Sequence, residues 1–216
     1  MAVTGTITTQ DLIADALRKI GVVAEDEPMT ADQAASGLRA WNRLLKSWQN
    51  RGYNLWAVAT QTVTLTTAAS YTMAPVRPVR ILNARLVRSG IETPMLPMTR
   101  QEYDALPVKL STDLPTRFYY DKQREAALFY IWPVLASASG ETIRVTFERE
   151  AEDQTDLNAV PDIPAEWWEA AVYGLAARLA DDHGKSVPNV VARAEEELRL
   201  ALADDHEESV FFGEPY

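Results

Sequence analysis

The residues able to do chemistry in this chain are few, and each falls short of a complete pattern. Gly184-Lys185-Ser186 is the closing half of a phosphate-binding loop, in which backbone N–H groups cradle phosphates and the lysine reaches them. The full pattern needs a glycine where the chain has Leu179, and a strand before the loop, where the surrounding residues read as helix. Asp153, Asp156 and Asn158 suggest a calcium loop, but the sharp-turn glycine and the closing glutamate are missing at the required spacing. Glu148, Glu150 and Glu152 offer the two carboxylates that glycoside hydrolysis uses, one as acid and one as base or nucleophile. Acidic residues are also common where a strand leaves a sheet, which is the plainer reading of the same three. There is no G-x-S-x-G and no H-E-x-x-H motif. With 0 Cys and 2 His, His183 and His206, the composition offers no thiolate site, no disulfide and no His-rich metal site. No catalytic, cofactor-binding or metal-binding residue is assigned.

The elements that must position these residues are clearer. In MTADQAASGLRAWNRLLKSWQNRGYNLW, Thr30 and Gln33 form a capping box, each side chain satisfying a helix-start donor. Ala34, Leu38, Trp41, Leu45 and Trp48 recur at helical spacing as one apolar stripe, and Arg39, Arg43, Lys46 and Gln49 fall off it. Two tryptophans on one stripe could bind a ligand, but their large apolar surface suits a core, and core is the reading adopted. Gly52 stands at a left-handed C-cap, so the helix ends near Arg51, and Tyr53, Leu55 and Trp56 can fold back onto it. Upstream, Thr8 and Asp11 open a helix over 9–20 that carries Leu12, Ile13, Ala16, Leu17 and Ile20 and closes at Gly21.

After Trp56 the period changes to two. Strands are predicted over 61–66 and 79–88, followed by a stretch broken at Pro94 and Pro97. Thr99 and Glu102 open a short helix that ends before Pro107, and 116–121 with 126–132 make a hairpin around 122–125. Ile143, Val145 and Phe147 alternate with Arg144, Thr146 and Glu148 in a half-buried strand. Helices return at Pro164. One has Trp168, Ala171, Val172, Leu175 and Leu179 inward, with the small Gly174, Ala176, Ala177 and Ala180 allowing close approach, and ends at Gly184. The last opens at Pro188 with Val191, Ala194, Leu198 and Leu202 inward and Glu195, Glu196 and Glu197 in solvent.

One-striped helices must cover each other, so the N-terminal pair is expected to pack against the C-terminal pair. The fold class is therefore α+β: a four-helix bundle with a mostly antiparallel β module inserted in it. The expected division is 1–56 and 151–203 for the two helix pairs, 57–150 for the β module and 204–216 for a C-terminal arm. That arm begins with Asp204, Asp205, His206, Glu207 and Glu208 and continues to Val210, Phe211, Phe212 and Tyr216. Acid followed by aromatic anchors suits a segment that docks on a partner, or else tucks back onto its own helices.

Length and charge limit the function. A chain of 216 residues with 47% apolar content can build a real core as one domain or two small ones. The start, MAVTGTITTQDL, has no basic region followed by an apolar one, and no 18-residue apolar run occurs, so a soluble intracellular protein is expected. The net charge of −10 is uneven: residues 150–216 hold 17 acidic against 4 basic residues, while 77–124 hold 9 basic against 5 acidic. The acidic third opposes nucleic-acid affinity, which needs cations to displace counterions from phosphate.

The segment DLIADALRKIGVVAEDE followed by MTADQAASGLRAWNRLLKSWQNRGYNLW resembles the head-to-tail adaptor proteins of short-tailed bacteriophages, also called packaged-DNA stabilisation proteins or tail accessory factors. The likeness is sharpest over 8–66; the β region, PDIPAEWWEAAVYGLAARLA and the acidic tail match in layout. The resemblance implies a structural virion protein, made in the host cytoplasm, that forms a ring, expected to be twelvefold, beneath the portal. Such a ring prolongs the DNA channel, retains packaged DNA and offers a platform to the next tail protein. Double-stranded DNA would pass through without sequence-specific binding, no membrane would be involved, and the terminal arm with Val210, Phe211, Phe212 and Tyr216 would grip the portal. The alternatives are a virion-associated cell-wall hydrolase using the Glu148 and Glu150 carboxylates, and a non-viral binding protein.

Overall fold

Residues 7–53, 57–73, 77–123 and 127–204 are described by the computed structural model. In chain order the elements are α1 (Thr9–Lys19), α2 (Ala31–Asn50), β1 (Val58–Thr64), β2 (Ser70–Met73), β3 (Pro78–Arg88), β4 (Ile91–Pro94), β5 (Leu96–Pro97), α3 (Arg100–Asp104), β6 (Arg117–Asp121), β7 (Ala127–Trp132), β8 (Thr142–Arg149), α4 (Trp168–Asp182) and α5 (Pro188–Asp204). Mixed α+β is thus the class, with five helices and two four-stranded sheets. The chain divides into two compact units, Met1–Trp56 with Ala151–Tyr216, and Ala57–Glu150.

Local chemistry sets the helix ends. Thr8 and Thr30 in the helical unit, and Thr99 in the β unit, each close a capping box, with Asp11, Gln33 and Glu102 respectively. At the end of α2, Gly52 takes φ +81°, its N–H donates to the Gln49 carbonyl at 3.0 Å and the Tyr53 N–H to the Trp48 carbonyl at 3.0 Å. That pair of bonds is the Schellman closure, and the positive φ is what calls for glycine.

One apolar core is then shared by α1, α2, α4 and α5, with Leu12, Ile13, Leu17, Trp41, Leu45, Trp48, Leu175 and Leu179 buried in it. Gly37 lies against Ile13, so α2 meets α1 backbone-to-side-chain, and Gly174 lies against Leu44 and Trp48. The off-stripe polar residues of α2 also have a structural task. Asn42 and Gln154 exchange two 2.9 Å hydrogen bonds, Lys46 Nζ donates to the Ala151 carbonyl at 2.8 Å, and Gln49 Oε1 accepts from the Ala151 N–H at 3.1 Å. Positions 42, 46 and 49 share one side of the helix, so they hold the chain as it re-enters this unit at 151–154.

Three expectations for the helical half change. Glu197, expected in solvent, has a side chain only 13% exposed because Arg193, one turn earlier on α5, pairs with it at 2.8 Å. Trp167, in a 3-10 turn (Ala165–Trp167) ahead of α4, is 1% exposed and is the buried anchor, whereas Trp168 is half-buried at the core margin. In α5 it is Val190 that packs against the core, while Val191 is 43% exposed. In both places an adjacent pair of apolar residues left the phase of the helix open by one residue, which is 100° of rotation. Tyr53 does pack against the core; Leu55 and Trp56 lie outside the described residues.

The β unit consists of sheets ordered β1-β8-β3-β4 and β2-β7-β6-β5, whose inner faces share a core of Ala84, Leu86, Ile143, Val145 and Phe147 from one and Phe118, Phe129 and Ile131 from the other. Every named pairing is antiparallel except β5 with β6. The strand expected over 61–66 spans Val58–Thr64, with Ala59, Gln61 and Val63 on its less exposed side. β2 was not foreseen from the sequence. The stretch expected to be broken by Pro94 and Pro97 instead forms β4 and β5, and both are edge strands, where a missing N–H costs no ladder bond.

Candidate functional site

Two of the three carboxylates that could have served hydrolysis, Glu148 and Glu150, are engaged. Glu148 lies on β8 directly opposite Arg80 of β3, and the two form a cross-strand ion pair with the Glu148 side chain only 8% exposed. Its burial departs from the expected solvent-facing position: Arg80, paired from β3, lies against its carboxylate, whereas Arg144 on the same side of β8 stays exposed. Glu150 receives the guanidinium of Arg77. Glu152 belongs to the helical unit, where its backbone N–H donates to Asp162 Oδ2 at 3.0 Å. Nearby on the same sheet, Arg85 and Arg144 are register partners, and Glu92 of β4 binds both guanidinium groups, relieving a like-charge pair.

The phosphate-loop fragment also has a local explanation. Gly184 takes φ +61° after α4; its N–H donates to Asp181 at 3.1 Å and the Lys185 N–H to Ala180 at 2.8 Å. These bonds repeat the Schellman closure of α2, so Gly184 and Lys185 end a helix instead of cradling a phosphate at a helix start. Asp156 accepts from the Asn158 N–H at 2.9 Å in a tight turn, and Asp153 pairs with Lys46 at 3.2 Å. Among the described residues no group of three or more His, Cys, Asp or Glu could hold a metal ion. His183 is the C-cap residue of α4; His206 lies outside the described residues, as do the arm residues Val210, Phe211, Phe212 and Tyr216.

What remains is a buried aromatic cluster with exposed apolar neighbours in one unit and a basic groove in the other. In the β unit, Tyr103, Tyr119 and Tyr130 gather with ring centroids 5.0 to 5.7 Å apart. Lys109 lies 4.9 Å over Tyr103 and Arg100 5.7 Å over Tyr119, both within cation–π range. Burial pushes the Tyr103 and Tyr119 hydroxyls above their ordinary pKa. Beside this cluster Val108, whose carbonyl accepts from Trp132 Nε1 at 3.1 Å, and Leu110 are 59% and 68% exposed.

The helical unit carries a groove lined by Asn42, Arg43, Lys46, Ser47 and Asn50 of α2, its C-cap Arg51, and Asp153, whose carboxylate is taken up by Lys46. Arg178 of α4 is close enough that its guanidinium is held below its usual pKa, by burial first and then by Arg51 and Arg43. Among the described residues, Arg43, Arg51 and Arg178 have no carboxylate at ion-pairing distance. This is notable because the unit holds 22 acidic and 10 basic residues, a balance of −12. The sequence placed Arg43 off the apolar stripe but gave no sign of the cluster, since Arg178 joins it from 127 positions beyond Arg51.

The family model of the SU10 adaptor protein matches residues 7–210. The chain belongs to the SU10 adaptor protein family. This is a family of phage head-to-tail adaptors, in agreement with the resemblance carried by 8–66, and the match runs through both structural units. No curated protein matches the sequence. Among solved structures, a chain from the neck of an empty GTA particle computed with C6 symmetry is similar at 14% identity over 98% of each chain, with a TM-score of 0.29, too loose a superposition to inform fold or function. For an SU10-family adaptor, surfaces that make contacts are the expected functional features, and the arginine groove and the exposed Val108 and Leu110 are of that kind.

Proposed function

We propose that this chain is the subunit of a head-to-tail adaptor ring beneath the portal of the phage particle. The ring prolongs the DNA channel, retains packaged DNA and presents a platform to the next tail protein. Membership of the SU10 adaptor family over residues 7–210 carries the reading. The engagement of Glu148 and Glu150 with Arg80 and Arg77 supports an assembly role over carboxylate chemistry. In this reading 1–56 and 151–203 form a four-helix bundle, 57–150 is an inserted β module and 204–216 is an arm whose Val210, Phe211, Phe212 and Tyr216 dock on the portal. The ring is twelvefold, the location is the head–tail junction of the virion after synthesis in the host cytoplasm, and DNA passes without sequence-specific contacts. No helix among the described residues is long and apolar enough to cross a membrane.

Assembly is conditional: alone, the subunit is a monomer or weak oligomer, and the portal orders it into a ring. The deciding experiment mixes the purified chain with the matching portal and measures the mass of what co-migrates. A portal-bound ring is the expected product. Failure to co-migrate at any ratio overturns the reading.

A further inference from the structure

The arginine groove is unusual in an acidic unit, and α2 sets it apart from a second feature of opposite sign. The turn before α2 contains Glu25, Asp26 and Glu27, all exposed, and no ion pair to them occurs among the described residues. The helix that follows has 20 residues, about 30 Å at 1.5 Å per residue. The acidic turn lies ahead of its first residue, whereas Arg43 and Arg51 lie in its second half and beyond its last residue. A rigid helix therefore holds the two apart, and they cannot neutralise each other within one chain. Complementary patches that cannot meet within a subunit, yet sit at fixed separation on it, are what a head-to-tail contact between identical copies requires; repeated with a closing rotation, such a contact makes a ring.

We propose that the groove lined by Arg43 and Arg51, with Arg178 of α4 nearby, receives the Glu25–Asp26–Glu27 turn of a second copy of this chain. The inference rests on the ring reading and names the contact that joins neighbours in it. Guanidinium groups pair with carboxylates in planar, two-bond geometry, so a cluster of three suits a run of three acids. Nucleic acid is the less favoured occupant, because the unit around the groove is acidic by 12 charges and repels a polyanion at long range. A second copy carries the same repulsion over its body but brings the carboxylates on a projecting turn. The contact is accordingly weak in free solution and strengthens when the portal aligns the copies.

The test uses the full chain, alone at high concentration and with its portal. The chain has 0 Cys, so D26C and S47C variants can be mixed and treated with a short bis-maleimide. The expected result is a cross-linked D26C–S47C dimer, roughly tenfold above either variant alone and suppressed by salt. Charge reversal gives an independent reading. A chain with Glu25→Lys, Asp26→Lys and Glu27→Lys, and another with Arg43→Glu, Arg51→Glu and Arg178→Glu, should each self-associate at least roughly tenfold more weakly than the original. Mixed together they should recover, since each then offers the other a face of opposite sign. All six positions are exposed, and circular dichroism reports whether each variant is folded. A portal-bound ring without the D26C–S47C cross-link overturns this pairing and leaves the ring standing. Neither ring nor cross-link overturns both. Binding of a short DNA duplex that the arginine reversal abolishes, again without the cross-link, assigns the groove to phosphate and refutes the proposal.

Discussion

The ring of Trp48 lies 5.3 Å from that of Trp167, inclined at 61°, so a residue of α2 and one from just before α4 meet edge to face across 119 positions of chain. Trp41 meets Trp48 in turn at 6.3 Å and 87°. All three are at most 3% exposed. Replacing any of them by Ala should cost about 3–5 kcal/mol of stability, and a double-mutant cycle on Trp48 and Trp167 should show a coupling of about 0.5–1.5 kcal/mol. Denaturant melts of the original chain, the three single variants and the Trp48–Trp167 double variant measure this. Unchanged stability with lost partner binding would mean that the tryptophans form a surface instead of a core.

The approach of α1 to α2 makes Gly37 a strict position. A Cβ there would be driven into Ile13, which is fully buried and stiff because it branches at Cβ. Helix propensity alone would make Gly37→Ala stabilising by about 1 kcal/mol, and overpacking opposes it by about 1–3 kcal/mol. The net expectation is a loss of up to about 2 kcal/mol, and the overpacking penalty disappears when Ile13 is also cut to Ala. A Gly37→Ala chain that melts higher than the original would show that the helices are not so closely packed.

Alkaline pH should loosen the β unit through Tyr120. Its hydroxyl donates to the Pro78 carbonyl at 2.6 Å, and burial pushes its pKa from 10.0 up to about 12, with Arg77 pulling back and Glu150 adding to the rise. A pKa raised in the folded state favours the neutral phenol there. Its contribution is therefore whole below pH 10 and is lost as pH climbs through about 12. Tyr120→Phe should cost about 1 kcal/mol at neutral pH and flatten the decline between these limits. Parallel stability-against-pH curves for the two proteins would refute the assignment.

Glu148 should behave as an ion-pair partner. Glu148→Gln removes a charge facing Arg80, a residue 66% exposed at its side chain, so the expected cost is about 1 kcal/mol or less. Glu150→Gln should act similarly through Arg77. Neither the original chain nor these variants is expected to digest peptidoglycan. Digestion by the original that vanishes in either variant would restore the hydrolase reading.

The terminal arm gives the fifth test. Removing residues 209–216 deletes Val210, Phe211, Phe212 and Tyr216. On the arm reading the melting temperature hardly moves while portal affinity falls at least roughly tenfold, because aromatic anchors entering pockets dominate such contacts. A sharp drop in melting with binding retained would place the aromatics on the chain's own core.

By itself the sequence determined what is decided within a few residues. Thr8–Asp11, Thr30–Gln33 and Thr99–Glu102 announce helix starts because the capping bonds span three positions, and Gly52 and Gly184 announce ends because the closing bonds span five. The alternation at Ile143, Val145 and Phe147 gave the inward face of β8 for the same reason: side chains alternate whatever the neighbours are. The family likeness was legible too, in the pattern over 8–66. Tertiary structure decided which of two adjacent apolar residues is buried, as with Trp167 over Trp168 and Val190 over Val191. It also put Pro94 and Pro97 on sheet edges, pressed Ile13 against Gly37 and buried Glu148 beside Arg80. It assembled the cluster of Arg43, Arg51 and Arg178. Each of these depends on groups distant in the chain, whose meeting is fixed by how whole elements pack and leaves no trace in the residues on either side.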